Sequence, residues 1–342
     1  MKIAVISTAI LPSSSWKYFQ GYGGLEPIAG TLAEGYAKRG HEVTLIGCEG
    51  SQADGVKLIA VPRGTPEEAL VQHYKDILAD MDIVQDHSWE KFSAMLFAQE
   101  PEKYRKPKLQ LLHHGFLDSR TPPPIPKPSW TGFSRKHAQF MSYMLGIPVK
   151  YAWHGIDPEL YPLSTERDDY YLILNRLSPE KGIHEALQML KRARKRVIIA
   201  GDATIIADQN YARRIFGECD NLMVKIVANP NQEQKIKLIQ KATAMVHTPL
   251  YPWVEAFGLT ISEGMCAGTP ILALDNGGVS DQIVHGKTGF IAQDMDTLST
   301  YIDDVNKIKA ETCRKRVLEH FTADKMVERH LKLFDEVLAG GW

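Results

Sequence analysis

The chain has 342 residues, a length that ordinarily folds as two domains. Its composition of 44% apolar and 24% charged residues is typical of a soluble globular protein, and a formal net charge of -1 gives no electrostatic reason to expect nucleic-acid binding. The four cysteines are scattered and form no CxxC pair, which disfavours a zinc site or disulfide framework and favours a cytoplasmic protein.

Strand and helix patterns alternate through residues 1–157, which predicts a first Rossmann-like domain. The predicted strands are Ile3–Ser7, Glu42–Ile46, Ile83–Gln85, Lys108–His113 and Val149–Trp153. The predicted helices are Glu26–Arg39, Pro66–Leu78, Lys91–Ala98 and a helix from Ser134 to about Leu145.

The alternation restarts after a polar, proline-bearing linker at about 157–169, so residues 158–321 are predicted to form a second domain of the same kind. Its predicted strands are Tyr170–Asn175, Val197–Gly201, Leu222–Val227, Ala244–His247 and Pro270–Ala273. Its predicted helices are Ile183–Arg192, Asn210–Phe216, Gln232–Lys241 and Gly258–Ala267. The fold class is therefore α/β, with two doubly wound halves separated by a cleft and ligands expected outside the carboxyl ends of the strands.

A dinucleotide-binding first domain is disfavoured by its glycines. A GxGxxG motif starting at Gly21 would need glycine at position 26, which is Glu26, and the glycines lie well after the first strand. The pair Gly23 and Gly24 precedes a helix, so its backbone N–H groups suit either an anion or a plain turn.

The most informative region is 254–270, which reads VEAFGLTISEGMCAGTP. The backbone N–H groups of Phe257, Gly258 and Leu259 are expected at a helix start, where a diphosphate can bind. Glu263, inside the helix, can accept hydrogen bonds from two ribose hydroxyls, and Glu255, before it, can reach a sugar. A surface helix with two solvated glutamates is the alternative.

Two further loops support the first interpretation. Arg176 and Lys181 follow one predicted strand and can neutralise a diphosphate. Gly277 and Gly278 follow another. Because the carboxyl ends of parallel strands share one edge of a sheet, the loops are expected to converge on one ligand.

These motifs resemble the GT4 family of glycosyltransferases, which have the GT-B fold. Residues 254–278 resemble its E-x7-E motif and following GG loop, and NRLSPEKG resembles its GR-x-x-x-x-KG segment, with Asn175 in place of glycine. YGGLE, KRGHEV and WHGID resemble other segments in the family's order, and the short first half resembles its compact bacterial and archaeal members.

The resemblance implies a retaining enzyme that moves a hexosyl group from a UDP- or GDP-sugar to a hydroxyl acceptor. It implies that Arg176 and Lys181 bind the diphosphate, that Glu263 holds the ribose, and that Gly23 and Gly24 face the donor phosphates. Glu255 and His114 would lie beside the transferred sugar, with His113 as the alternative to His114. Residues 322–342 would form a helix that crosses back to the first domain.

Departures from the family concern Asp281, where a glutamate is usual, and Ala228–Pro230, where a glycine is usual. They leave sugar and base recognition open. Two cations and a helix start can stabilise the leaving group without a metal, so no obligatory metal or other cofactor is expected.

Acceptor contacts are expected in the first half. The candidates are Trp16, Tyr18, Tyr22 and His87, with local packing of the aromatic loop as the alternative. The acceptor is a sugar, a polysaccharide or a lipid. The basic run at 191–196 fits either a solvated helix end or a peripheral contact with an anionic membrane. The rival functions are a sugar phosphorylase or nucleotide-sugar epimerase on the same fold, and a non-catalytic sugar-nucleotide-binding protein.

Overall fold

The computed structural model describes residues 1–19, 23–105, 108–111, 129–203 and 207–340. The chain divides into two compact units. Within the described ranges, the first unit contains residues 1–19, 23–155 and 323–340, and the second contains residues 156–322. The chain thus leaves the first unit after Gly155 and returns to it at Ala323.

The described part of the first unit is built on a seven-stranded sheet in which all strand pairs are parallel. The strand order is β3-β2-β1-β4-β5-β6-β7. The strands are β1 (Lys2–Ile6), β2 (Glu42–Cys48), β3 (Lys57–Val61), β4 (Ile83–Asp86), β5 (Lys108–Leu111), β6 (Ser129–Gly132) and β7 (Val149–Tyr151). Residues Ile3–Ile6 are fully buried, as expected of a central strand with helices on both faces.

Helices cover this sheet: α1 (Leu25–Lys38), α2 (Glu67–Tyr74), α3 (Phe92–Gln99), α4 (Arg135–Leu145) and the last helix, α12 (Ala323–Leu338). Helix α4 starts where expected, because the Ser134 hydroxyl accepts a hydrogen bond from the His137 backbone at 3.1 Å. Helix α12 packs closely on α1. A side chain at Gly35 would lie 2.3 Å from Val327, and the rings of Tyr36 and Phe334 are 5.1 Å apart.

The described part of the second unit has a six-stranded parallel sheet in the order β10-β9-β8-β11-β12-β13. The strands are β8 (Tyr171–Leu174), β9 (Val197–Gly201), β10 (Val224–Ala228), β11 (Ala244–His247), β12 (Ile271–Leu274) and β13 (Gly289–Ala292). The chain builds outward from β8 to β10 and then returns to place β11 on the other side of β8. This reversal makes the space beyond β8 and β11 the topological switch point, where ligands bind in such sheets.

The helices of the second unit are α5 (Ile183–Arg192), α6 (Gln209–Phe216), α7 (Gln232–Lys241), α8 (Leu259–Cys266), α9 (Val279–Gln282), α10 (Met295–Ser299) and α11 (Ala310–His320). Short 3-10 turns precede β8 and α5. No helix in the described ranges has both the length and the apolar character needed to cross a membrane.

Candidate functional site

Three loops of the second unit follow neighbouring strands. The loop after β8 carries Arg176 and Lys181, the loop after β11 carries Glu255, and the loop after β12 carries Gly277 and Gly278. Because β8, β11 and β12 are adjacent in the sheet, their carboxyl ends bring these loops together. The convergence predicted from the sequence is therefore present at the switch point.

A buried ion pair joins two of the loops. Lys181 Nζ lies 2.7 Å from Glu255 Oε2, and 13% and 9% of the two side chains are exposed. His247, the last residue of β11, places Nε2 3.3 Å from the same carboxylate oxygen. Burial alone would raise the pKa of the Glu255 carboxyl, but Lys181 and His247 together hold that pKa well below its usual range. Glu255 is therefore an ionised carboxylate with fixed orientation.

Close backbone packing holds the loops after β8 and β11 together. Gly182 has a φ of +61°, and a side chain there would lie 2.0 Å from the carbonyl oxygen of Thr248. The Thr248 hydroxyl donates to the Gly182 carbonyl at 3.0 Å. Lys181 Nζ also lies 5.2 Å from the centre of the Trp253 ring, a cation–π distance. Lys181 is thus held by a carboxylate and an aromatic ring.

Arg176 is held within its own turn. Its guanidinium pairs with Glu180, and Nε donates to the Ser178 hydroxyl at 3.1 Å. That hydroxyl donates in turn to the Glu180 carboxylate at 2.7 Å. The sequence predicted Arg176 at this turn but not its pairing with Glu180.

The start of helix α8 lies next to Glu255 and His247. Gly258, with a φ of +86°, precedes Leu259, the first helical residue. Gln282 donates its side-chain amide to the carbonyls of both Phe257 and Gly258 and so fixes the chain before the helix. The Phe257 side chain is 1% exposed and packs edge-on against Phe321, 5.7 Å away. The Phe257 side chain is therefore part of the core of the second unit and not a ligand contact.

Glu263 is buried one turn into α8. Its Oε1 accepts hydrogen bonds from the Tyr161 hydroxyl at 2.7 Å and from Lys235 Nζ at 2.9 Å. Burial, followed by the adjacent Glu263 carboxylate, raises the pKa of Tyr161 well above its usual value, so Tyr161 stays a hydrogen-bond donor. Glu263 Oε2 is also buried, and no group in the described part of the chain bonds to it. One carboxylate oxygen is fixed and the other retains its accepting capacity.

The glycine loop after β12 supports the backbone of Glu255. The Gly278 N–H donates to the Glu255 carbonyl at 2.7 Å, and a side chain at Gly277 would lie 2.1 Å from that carbonyl oxygen. Asn276 accepts a hydrogen bond from the Glu255 N–H at 3.2 Å. The sequence predicted that these glycines contact the sugar-nucleotide donor. In the structure they hold the backbone of Glu255 in place.

The acceptor candidates of the first unit are less exposed than expected. Trp16 is 3% exposed, donates Nε1–H to the Gly155 carbonyl at 3.0 Å and packs edge-on against Phe19. Tyr18 is half-buried, and its hydroxyl donates to Asp54 at 2.6 Å. His87 is fully buried, and burial lowers its pKa well below the usual histidine value. Of the two alternatives, local packing fits Trp16, and His87 is an interior residue and not an exposed acceptor contact.

The glycine pair before α1 has an acidic neighbour. Gly23 has a φ of +143°, and a side chain there would lie 2.8 Å from Glu26 Oε2. Burial raises the pKa of Glu26, and the Thr8 hydroxyl donates to its carboxyl at 3.3 Å. A phosphate next to Gly23 and Gly24 would therefore require Glu26 to be protonated or to turn away. His113, His114 and Tyr22 lie outside the described residues.

Five residues of the site were not predicted from the sequence: His247, Trp253, Asn276, Tyr161 and Lys235. The first three lie in or beside loops already singled out, and the position of His247 at a strand's carboxyl end was the available signal. Tyr161 and Lys235 gave no such signal, because they are 102 and 28 residues from Glu263 in the chain. Within the described ranges, no group of three or more His, Cys, Asp or Glu side chains is placed to hold a metal ion.

Known proteins share sequence with the second unit and, more weakly, with the whole chain. Residues 162–317 match the family described as glycosyl transferases group 1. The matched residues lie within the second unit, and the match supports glycosyltransferase activity. This glycosyltransferase is 23% identical to the O-antigen chain mannosyltransferase C of Escherichia coli, over 94% of its own length and 96% of that relative's. The predicted resemblance to glycosyltransferases is confirmed.

Solved structures show the same fold. The glycosyltransferase resembles the sucrose-phosphate synthase of Thermosynechococcus elongatus with a TM-score of 0.78, at 17% identity over 99% of each chain. It resembles Anabaena Alr3699/HepE in complex with UDP-glucose with a TM-score of 0.75, at 19% identity over 98% of this chain and 100% of that one. The predicted GT-B fold, with two Rossmann-like units, is confirmed.

Proposed function

We propose that this glycosyltransferase belongs to the GT4 type and transfers a hexosyl group from a UDP- or GDP-sugar to a hydroxyl group of a sugar, polysaccharide or lipid. The reaction retains the anomeric configuration and needs no obligatory divalent cation. The observation that carries the proposal is the buried Lys181–Glu255 pair at the switch point. The Anabaena relative was solved with UDP-glucose, which supports a nucleotide-sugar donor.

The proposed donor site assigns one chemical task to each feature. Lys181, Arg176 and the backbone N–H groups at the start of α8 bind the diphosphate, whose charge grows as the glycosyl bond breaks. On donor binding, the diphosphate replaces Glu180 as the partner of Arg176. The accepting Glu263 Oε2 takes hydrogen bonds from the ribose, while Tyr161 and Lys235 hold the other oxygen.

Glu255 is proposed to contact the transferred sugar. Its carboxylate is ionised and fixed by Lys181 and His247, so it can accept hydrogen bonds from sugar hydroxyls without first losing a proton. Because Glu263 is assigned to the ribose, the two glutamates do not act as the nucleophile and acid–base pair of a retaining glycosidase. Retention is instead assigned to attack from the face of the leaving diphosphate, whose oxygen helps to remove the acceptor proton.

The first experiment is a thermal-shift panel of UDP, GDP and ADP, each with magnesium and with EDTA. A ligand that binds only the folded protein at about 100 times its Kd adds about 2.7 kcal/mol of stability. We expect one nucleoside diphosphate to raise Tm equally in both buffers. If none of them raises Tm, the donor site is wrong; if the shift requires magnesium, metal independence is wrong.

The second experiment measures stereochemistry. The nucleotide sugar of the stabilising base is incubated with the enzyme and a panel of methyl glycosides, and the anomeric proton of the first-formed product is observed by NMR. An α-linked donor is expected to give an α-linked product. A β-linked product would refute retention and leave the donor site intact.

A further inference from the structure

A nearly fully exposed tyrosine lies on the loop that leads to Glu255. Tyr251 is 89% exposed, the highest value among the large hydrophobic side chains in the described part of the chain. Leu250 and Trp253, which flank the segment of Tyr251 and Pro252, are held by backbone hydrogen bonds. The Trp253 N–H donates to the Leu250 carbonyl at 3.1 Å, which closes a tight turn with Tyr251 at its tip.

This turn is anchored to the other two site loops. The Leu250 N–H donates to the Glu180 carbonyl at 2.8 Å, in the loop after β8. The Asn276 side-chain amide donates to the Trp253 carbonyl at 2.8 Å and to the Pro249 carbonyl at 3.2 Å, from the loop after β12. The Tyr251 ring is therefore presented from a backbone with little freedom to move, so contact with a ligand has a low ordering cost.

The turn also adjoins the charged centre of the site. Trp253 is the last residue of the turn, and its ring lies 5.2 Å from Lys181 Nζ. The buried polar groups of this region, Lys181 and Glu255, are assigned to the diphosphate and the transferred sugar. Tyr251, two residues before Trp253 in the chain, offers the opposite chemistry, a flat and exposed apolar face with a hydroxyl at its edge.

We propose that Tyr251 is a stacking platform for the sugar ring of the acceptor. The inference rests on the proposed function, because it takes the donor to occupy Lys181 and Glu255. A pyranose ring has a face of C–H groups that packs on an aromatic ring, while its hydroxyls remain in water or bond to the tyrosine hydroxyl. The acceptor is therefore recognised as a carbohydrate at this position.

The test uses saturation-transfer NMR with the methyl α-glycosides of glucose, mannose and galactose as probes. The full chain is loaded with whichever of UDP or GDP raises its Tm, or is used unloaded if neither does. We expect saturation to reach the ring protons of at least one glycoside. Tyr251→Ala should lower that signal about fivefold or more, and Tyr251→Phe should retain most of it.

Tyr143→Ala is the matched control, because Tyr143 is 85% exposed on helix α4 of the other unit. It should leave the glycoside signal unchanged. Equal signals from Tyr251→Ala and the unchanged protein, or no signal from any glycoside, would overturn the platform. Tyr251→Ala should still show the nucleotide-induced rise in Tm. Absence of that rise in the unchanged protein would instead refute the donor site, so the two failures are distinguishable.

Discussion

The two units bury their charges in different ways. In the second unit, the Lys181–Glu255 and Lys235–Glu263 pairs each set a cation against a carboxylate, and Glu263 keeps one accepting oxygen. In the first unit, Lys91 is buried and donates to the carbonyls of Asp86, Ser88 and Leu111. Asp86 accepts from the hydroxyls of Ser88 and Ser93. The arrangement in the second unit leaves a carboxylate oxygen that can accept a hydrogen bond from a ligand. The arrangement in the first unit satisfies backbone carbonyls that follow the ends of strands.

This comparison shows why a buried charge alone does not mark a binding site. Lys91 and Lys181 are both lysines near the carboxyl ends of strands. Lys91 has its donors satisfied by backbone carbonyls, while Lys181 has a carboxylate and an aromatic ring, partners that a diphosphate can join. Substitutions at Lys181 should therefore impair both donor binding and stability, whereas substitutions at Lys91 should reduce stability alone.

The largest effect is expected from Lys181→Ala. Removing Lys181 breaks a buried ion pair and leaves the charged Glu255 with His247 but without its lysine partner, which costs about 3–5 kcal/mol of unfolding free energy. Transfer activity should also fall by about 100-fold or more, because a preorganised donor to the leaving group is lost. Urea denaturation and a nucleotide-release assay measure the two losses.

Two variants sharpen this result. Lys181→Met combined with Glu255→Gln should recover much of the stability and none of the activity, since no buried charge remains unpaired. Lys241→Ala removes an exposed partner of Glu166 and should change stability by less than about 1 kcal/mol. Wild-type activity in Lys181→Ala would contradict the donor site.

The next effect is a loss of stability in acid that begins in the first unit. Burial is the first cause that lowers the pKa of His330, to about 3, and burial also lowers the pKa values of His87 and His154. An unfolded histidine titrates near 6.5, so between pH 6.5 and 3 the unfolded chain binds protons that the folded unit does not. Stability therefore falls as pH falls, by about 1.4 kcal/mol per pH unit for each such group.

The second unit should resist the same change in pH. The pKa of Glu255 is lowered, so its contribution to stability is complete above about pH 4.3 and is lost only at lower pH. Hydrogen exchange between pH 6.5 and 4.5 should show helix α12 opening before helix α8. His330→Gln keeps an acceptor for Gln85, which lies 3.1 Å from the His330 ring, and should reduce the pH slope.

The exposed His73 provides the control, and His73→Gln should leave the slope unchanged. Burial raises the pKa values of Glu26 and Glu67, which opposes the histidines over the lowest part of this range. The difference between His330→Gln and the unchanged protein is therefore the quantity to measure. An identical slope in the two proteins would remove His330 from the explanation.

A smaller effect is expected from Lys91→Met. The substitution leaves three buried carbonyls without their donor, and after the site relaxes and water enters we expect a total loss of about 1–3 kcal/mol of unfolding free energy. Urea denaturation should show a loss in this range. The Kd for the nucleoside diphosphate, measured by calorimetry well below the unfolding transition, should not change. A higher Kd in Lys91→Met would mean that Lys91 affects donor binding as well as stability.

The sequence predicted the second unit better than the first, for a physical reason. Its glycines and charges are concentrated in loops at strand ends, where the requirement for close approach and neutralisation leaves a local pattern, as at Lys181–Gly182 and Glu255. Trp16 carries no such pattern, because whether an aromatic loop is packed or open depends on a distant carbonyl, that of Gly155. The short strands β3, β6 and β13 were also missed, and all three lie at or next to a sheet edge, where the apolar signal is weak.

The smallest effect concerns how Glu263 selects a nucleotide. Its partners Tyr161 and Lys235 fix Oε1, so the selective contact should depend on Oε2, and Glu263→Gln places an amide in the site instead of a carboxylate. A hydrogen bond from a ribose hydroxyl to a charged group contributes about 1.5–3 kcal/mol, so the unchanged enzyme should prefer a ribonucleotide over its 2′-deoxy analogue by about tenfold or more. In Glu263→Gln the preference should fall to about threefold or less, as measured by the ratio of the two Kd values. The ratio cancels any general loss of affinity that follows from disturbing Lys235, and Glu233→Gln on the exposed face of α7 is the matched control. A ratio unchanged by Glu263→Gln would place the ribose elsewhere and leave the Glu263 cluster as a structural feature of the second unit.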